Sequence, residues 1–314
     1  PGAIVQMLCA TVVGTLMAQA LGFSMAQGAI FGLSLSVAST IVLIRSLEAR
    51  GELEGQGGKI AIGWLIVEDI VMVLALVMLP VASDMMASDE PVDTYIIFST
   101  ILTVLFKIGG FFAFMLIVGR RFLPWLLTSL NRINSTELST LGTLAIALGF
   151  ASIAYVVFDA SLALGAFLAG MVLRESEVGR EAAQSSLPMR DAFSVLFFVS
   201  VGMLFDPYTI VAQPLPVLMT LTIIIIAKGA AALLITTFYR QPHAVGYTIA
   251  IGLAQIGEFS FILGGLAISY NMLPQELYNL ILAGAMLSIV LNPFLFRFYD
   301  LVTGNRPKDV NAGS

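Results

Sequence analysis

The sequence predicts an all-α fold, a polytopic membrane protein with about ten transmembrane helices. Three observations carry this. Of 314 residues, 58% are hydrophobic and only 11% are charged, against about 25% charged in a soluble domain; the mean hydropathy is +0.96. No Asp, Glu, Lys or Arg precedes Arg45. Apolar runs of about 20 residues recur in series, which one soluble core does not explain. The single Cys9 and single His243 remove a disulfide framework and a His/Cys metal cluster. No basic stripe suits nucleic acid.

Hydropathy places the spans at 3–22, 25–45, 60–80, 95–119, 137–158, 160–173, 191–206, 214–238, 244–270 and 275–296. The sixth and seventh are short, and the sixth has the length of a re-entrant segment. Alternating these spans sorts the charges. Arg45, Arg50, Lys59, Arg120, Arg121, Arg132, Arg174, Arg180, Arg190, Arg240, Arg297, Arg306 and Lys308 fall on one side. The opposite loops hold Asp84, Asp89, Glu90, Asp93, Asp159, Asp206 and Glu276. The basic side is therefore read as cytoplasmic, with a cytoplasmic C-terminus in an inner (plasma) membrane protein. Leaving out the 160–173 segment would spoil the sorting, so it is counted as a span. The chain opens inside an apolar helix at "PGAIVQMLCA", without a signal-peptide n-region. It reads as a fragment with further spans before it, and "GNRPKDVNAGS" reads as a linker.

Only Lys107 and Lys228 remain of the basic residues, and both lie within spans. A charge at the bilayer centre costs at least about 2.5 kcal/mol, so such residues face protein or water. Glu68 and Asp69 sit mid-span in "WLIVEDIVMVLALVMLP". As helix neighbours they point about 100° apart, so one faces a cavity while the other faces an adjoining helix. Two such carboxylates are hard to ionise together and titrate as a coupled unit. A carboxylate that takes either a proton or a cation is what proton/cation exchange needs. The competing reading is an internal ion pair with a lysine, which weighs more for Glu68 than for Asp69. Lys228, in "LTIIIIAKGAAALLI", has apolar sequence on both sides and cannot readily snorkel, so Asp69 is its expected partner. Lys107 receives no role.

Glu258 lies in "GLAQIGEFSFILGG", where Gln255, Gly257 and Ser260 suit an interrupted helix. Its role is either to bind helix ends or to contact the ion. A parallel interruption is expected at "GLSLSVASTIVL", where Ser34, Ser36, Ser39 and Thr40 supply hydroxyls. Small-residue helix packing is the alternative for any one of these. The first three spans and the last three share this pattern, and their spacing gives opposite topology. That is the sequence sign of inverted three-helix repeats whose broken helices meet at the midplane. The expected domains are a first core repeat over 1–83, panel or dimerisation helices over 84–190, a connecting helix over 191–212, an inverted second repeat over 213–300 and a tail over 301–314.

These residues carry a resemblance. The segments "LSLSVASTIVLIRSLEARGEL", "AIGWLIVEDIVMV", "LALGAFLAGMVLRESE", "FSVLFFVSVGMLFD" and "GLAQIGEFSFIL" resemble, in order, the Kef-type branch of the monovalent cation:proton antiporters, potassium/proton exchangers of the sodium/proton antiporter fold. The resemblance implies a core of two crossed, inverted bundles that moves against a panel domain, which also forms a homodimer. It implies Asp69 as the carboxylate that holds the proton or a monovalent cation, with Thr40, Ser39 and their neighbours at one unwound segment. Gln255 to Ser260 would lie near the other, with Lys228 as charge partner. It further implies a cytoplasmic nucleotide-binding regulatory domain beyond the C-terminus. One departure is Glu68, where Kef-type members commonly carry Gln; the acid adds a possible proton site.

The expected function is exchange of a monovalent cation for H+ by alternating access, K+ being favoured by the resemblance and Na+ the alternative, with no further cofactor and no enzymatic activity. The rivals are a gated K+ channel, for which no TVGYG-like filter is present, a sodium-coupled organic anion transporter, and a non-transporting sensor or scaffold.

Overall fold

The computed structural model describes residues 1–87, 94–131, 136–158, 165–166, 169–170, 172–173 and 177–304. Among these, all regular structure is helical. Among the described residues, seven helical stretches are long and apolar enough to cross a bilayer. The chain divides into two compact units, Pro1–Ala75 with Val201–Ser314, and Leu76–Ser200.

The first unit contains two triplets of the same order. In the first, α1 (Gly2–Ala20) is followed by a helix in two pieces, α2 (Met25–Ser36) and α3 (Thr40–Ala49). The long α4 (Gln56–Ala87) begins here and continues past Ala75. The second triplet starts with α10 (Pro214–Thr222) and α11 (Lys228–Phe238), joined by a π-helical turn at Ile223–Ala227. It continues with another helix in two pieces, α12 (His243–Gly252) and α13 (Glu258–Ser269), and ends with α14 (Gln275–Thr303). The ninth expected span is thus a 10-residue and a 12-residue helix, each too short to cross alone.

Small residues let these helices approach. Gly28 and Gly32 make a GxxxG face on α2. A Cβ on Gly14 of α1 would lie 2.5 Å from the Gly32 Cα, and one on Gly32 would collide with the Thr11 carbonyl. Both triplets share one core, in which Leu43, Leu47, Trp64, Leu65, Ile249 and Phe296 are buried.

The second unit contains α5 (Thr94–Phe114), a π-helical turn at Met115–Gly119, α6 (Arg120–Asn131) and α7 (Thr136–Phe158). Phe111 and Phe114 pack on Phe158 with ring centroids 5.2 and 5.8 Å apart. α6 is amphipathic, with Leu123 and Leu127 buried and Trp125 exposed. Most of the expected 160–173 span lies outside the described residues. The expected short span at 191–206 is the end of a longer helix, α8 (Glu177–Leu204), which starts in this unit. A one-turn α9 (Tyr208–Ala212) then leads into α10.

Candidate functional site

The two broken helices meet at their breaks. A break leaves the last carbonyls of one half-helix and the first N–H groups of the next without helical partners, and in apolar surroundings each must be satisfied. In the first break, Val37 and Ser39 are extended. The Gly257 N–H donates to the Val37 carbonyl at 3.3 Å. A Cβ on Gly257 would lie 2.6 Å from the Ser39 Cα, so this crossing requires glycine.

Gln255 stitches the crossing with one side chain. Its Oε1 accepts from the Ser39 N–H at 2.9 Å, and its Nε2 donates to the Ser39 carbonyl at 3.0 Å and to the Gly252 carbonyl at 3.2 Å. The Ser39 hydroxyl caps α3 by accepting from the Val42 N–H at 3.4 Å, and it donates to Glu258 Oε2 at 3.5 Å. Thr40 opens α3 and is half-buried. Glu258 opens α13, where a carboxylate complements the positive helix end. The Ser260 hydroxyl is buried without a partner. Ser34 and Ser36 spend their hydroxyls on their own helix, donating to the Ile30 and Leu33 carbonyls. It is the backbone carbonyl of Ser36 that takes part in the site.

The carboxylates divide the work. Glu68 is fully buried, and its Oε2 accepts from the Ala38 N–H at 2.8 Å. Asp69 is only partly buried, although its Oδ1 is enclosed without a partner. Lys228 is fully buried, placed just after the π-helical turn, and its Nζ donates to the Gln255 carbonyl at 3.0 Å. The sequence pairs Lys228 with Asp69; the hydrogen bond the structure gives Lys228 is the one to the Gln255 carbonyl, and of the two adjacent acids Glu68 is the fully buried one. The reason is angular: Glu68 turns to the packed side of α4, and Asp69 turns to the more accessible side.

Two residues absent from the sequence reading complete the scaffold. Gln6 of α1 is fully buried and donates through Nε2 to the Ser36 carbonyl at 3.3 Å. Asn292 of α14 donates to the Ile251 carbonyl at 2.7 Å and accepts from Ser46 at 3.2 Å. The available signal was a polar amide within an otherwise apolar span. Among the described residues, no group of three His, Cys, Asp or Glu could hold a metal ion in the manner of a protein-ligated centre.

The chain carrying this site has relatives. Residues 1–299 match the family model described as "Sodium/hydrogen exchanger, transmembrane". The chain belongs to that family. It is an integral, multi-pass membrane protein of the exchanger family. It is 52% identical over 300 residues to the Escherichia coli (strain K12) protein named "Putative cation/proton antiporter YbaL", covering 96% of this chain and 54% of that protein. It is 26% identical over 304 residues to "K(+) efflux antiporter 4" of Arabidopsis thaliana, covering 96% of this chain and 50% of that protein. It is 31% identical over 299 residues to "Putative K(+) efflux antiporter KefB" of Alkalimonas amylolytica, covering 92% of this chain and 42% of that protein. These relatives support the Kef-type branch within the exchanger family. The exchanger-family chain spans about half the length of these curated relatives.

Proposed function

We propose that the full-length protein exchanges a monovalent cation, K+ in the first instance, for protons by alternating access. The observation that carries this reading is the crossing itself. Glu68, its neighbour Asp69, Glu258 and Lys228 gather at two helix breaks inside an apolar, membrane-spanning unit, where ionisable groups are expensive and by default mark a functional site.

Asp69 is the exchange carboxylate. It is less buried than Glu68, so it is the acid that water and ions reach first. It releases a proton and accepts a partly dehydrated cation on one side, and does the reverse on the other. Lys228 and Glu68 form the fixed charge pair behind it, one bound to the Gln255 carbonyl and the other to the Ala38 N–H. Glu258 and Ser39 border the site from the second broken helix and the first. The core repeats are related by inversion and move against panel helices in a homodimer. The basic loops lie on the cytoplasmic side of the inner membrane, with the C-terminus there and a nucleotide-binding regulatory domain beyond it.

Sodium is the second cation to test, because the family description names sodium/hydrogen exchange. The experiment uses full-length protein in proteoliposomes with a trapped pH dye and an imposed proton gradient. Addition of K+ or Na+ should move protons in wild type, and Asp69→Asn should abolish that movement while leaving insertion intact. Cation leak without proton movement would replace exchange with a channel. Exchange retained in a correctly inserted Asp69→Asn protein would remove Asp69 from its role.

A further inference from the structure

Gln6 is buried to zero exposure on α1, the helix whose Gly14 packs closely on Gly32 of α2. Its amide orientation follows from chemistry. The atom against the Ser36 carbonyl must be the donor Nε2, since the reverse would set two acceptors against each other. Oε1 is therefore left as a buried acceptor with no donor. Among the described residues, Glu68 Oε1, Asp69 Oδ1 and Ser260 Oγ are also buried oxygens without partners. Proteins satisfy the large majority of buried polar atoms, so a buried amide oxygen left without a donor at the first break suits a positive species. Gln6 and Glu68 also hold the same short segment, one at the Ser36 carbonyl and the other at the Ala38 N–H.

We infer that Gln6 supplies a neutral oxygen ligand to the transported cation and helps to set which monovalent cation is accepted. This rests on the exchange reading above and adds α1 to the site. A carboxylate competes for protons as well as cations. A carboxamide oxygen binds only the cation, replacing part of its hydration shell as backbone carbonyls do in K+ filters. Gln6 thus adds affinity for the ion without adding a site that titrates. The amide nitrogen holds the break, and the oxygen is left for the ion.

The test separates those two atoms in the full-length protein. Gln6→Met keeps the length and removes both amide atoms; Gln6→Glu keeps an oxygen and loses the donor. In proteoliposomes, Gln6→Met should raise the KM for K+ about tenfold, with a maximal rate within about twofold of wild type, the pattern of lost ground-state binding. The K+ to Na+ preference should change with it, while Gln6→Glu keeps a KM within about threefold of wild type. A wild-type KM and K+ to Na+ preference in Gln6→Met would overturn the inference. So would a fall in maximal rate alone, shared by both variants, which is what a helix-capping role gives. Melting in detergent at constant ionic strength reads binding independently of exchange. A K+-dependent rise in Tm in wild type that is lost in Gln6→Met supports the ligand role even if no exchange is observed. The same rise in both, or none in either, overturns it. If Gln6→Met fails to insert, Gln6→Asn is read by the same two measurements, and a wild-type KM and preference there also overturn the inference.

Discussion

At the residue scale, Gly257 carries a requirement that its neighbours do not. Its N–H reaches the Val37 carbonyl only because no side chain separates it from Ser39. Gly257→Ala would put a methyl 2.6 Å from a backbone Cα that is itself held by Gln255. Neither chain segment can yield cheaply, so the substitution should cost about 1–3 kcal/mol or more. The measurement is a melting curve in detergent, where Gly257→Ala should melt several degrees below wild type, while Gly63→Ala, with open space around its Cβ position, should not. Equal melting of the two variants would mean that the crossing tolerates the extra carbon. Glu68 makes a related point: its neighbour Asp69 has the same chemistry, but the surroundings give one a fixed hydrogen bond and leave the other more accessible.

At the element scale, two polar rungs tie α3, α12 and α14 together on one side of the crossing. The inner rung is Ser46–Asn292–Ile251. The outer rung is built on Arg50, whose guanidinium donates to Asp300 at 2.6 and 2.8 Å and to Glu52 at 2.9 and 3.2 Å. Arg50 also stacks over Phe296, 4.6 Å from the ring centroid, while Glu52 accepts from Thr248 at 3.0 Å. The Asp300 hydrogen bonds, aided by Glu52, hold the guanidinium above the ordinary arginine range, so it stays charged. The Arg50 and Asp300 side chains are only 9% and 14% exposed, which takes the pair out of the weak surface class. Asp300→Asn should therefore destabilise the fold by about 1–3 kcal/mol, because it leaves the guanidinium under-compensated. The double variant Arg50→Met with Asp300→Leu should recover part of that loss. A double-mutant cycle on detergent melting measures it, and a coupling near zero would show that the two groups act independently.

At the scale of the whole molecule, the charge asymmetry of the loops makes an orientation prediction. Cys9 is the sole cysteine and is exposed on α1, so it is first replaced by serine. Single cysteines at Glu54, in the basic loop between α3 and α4, and at Asp206, before α9, should then react from opposite sides of the membrane. With an impermeant maleimide on intact cells, Asp206→Cys should label and Glu54→Cys should label only after lysis. Labelling of both from outside would reverse or break the assigned topology.

Hydropathy and charge are properties of local sequence, and they determined the helical membrane class and the presence of two interruptions. The breaks were legible because Gly257, Ser39 and Gln255 sit where an apolar span has no reason to be polar or small. The ends of α4, α8 and α14 were not legible, because helices run beyond the apolar segment once polar residues find water or partners. The tertiary structure alone decided which of the two adjacent acids is buried and hydrogen-bonded, since Glu68 and Asp69 differ only in direction along the helix and the first break supplies the Ala38 N–H to Glu68. It also decided that Gln255 would bridge two segments 216 positions apart, and that Gln6 and Asn292 would hold the broken ends. Such contacts follow from the need to satisfy backbone groups in an apolar medium. That need is visible in the sequence as a break, but the side chain that meets it can come from anywhere in the chain.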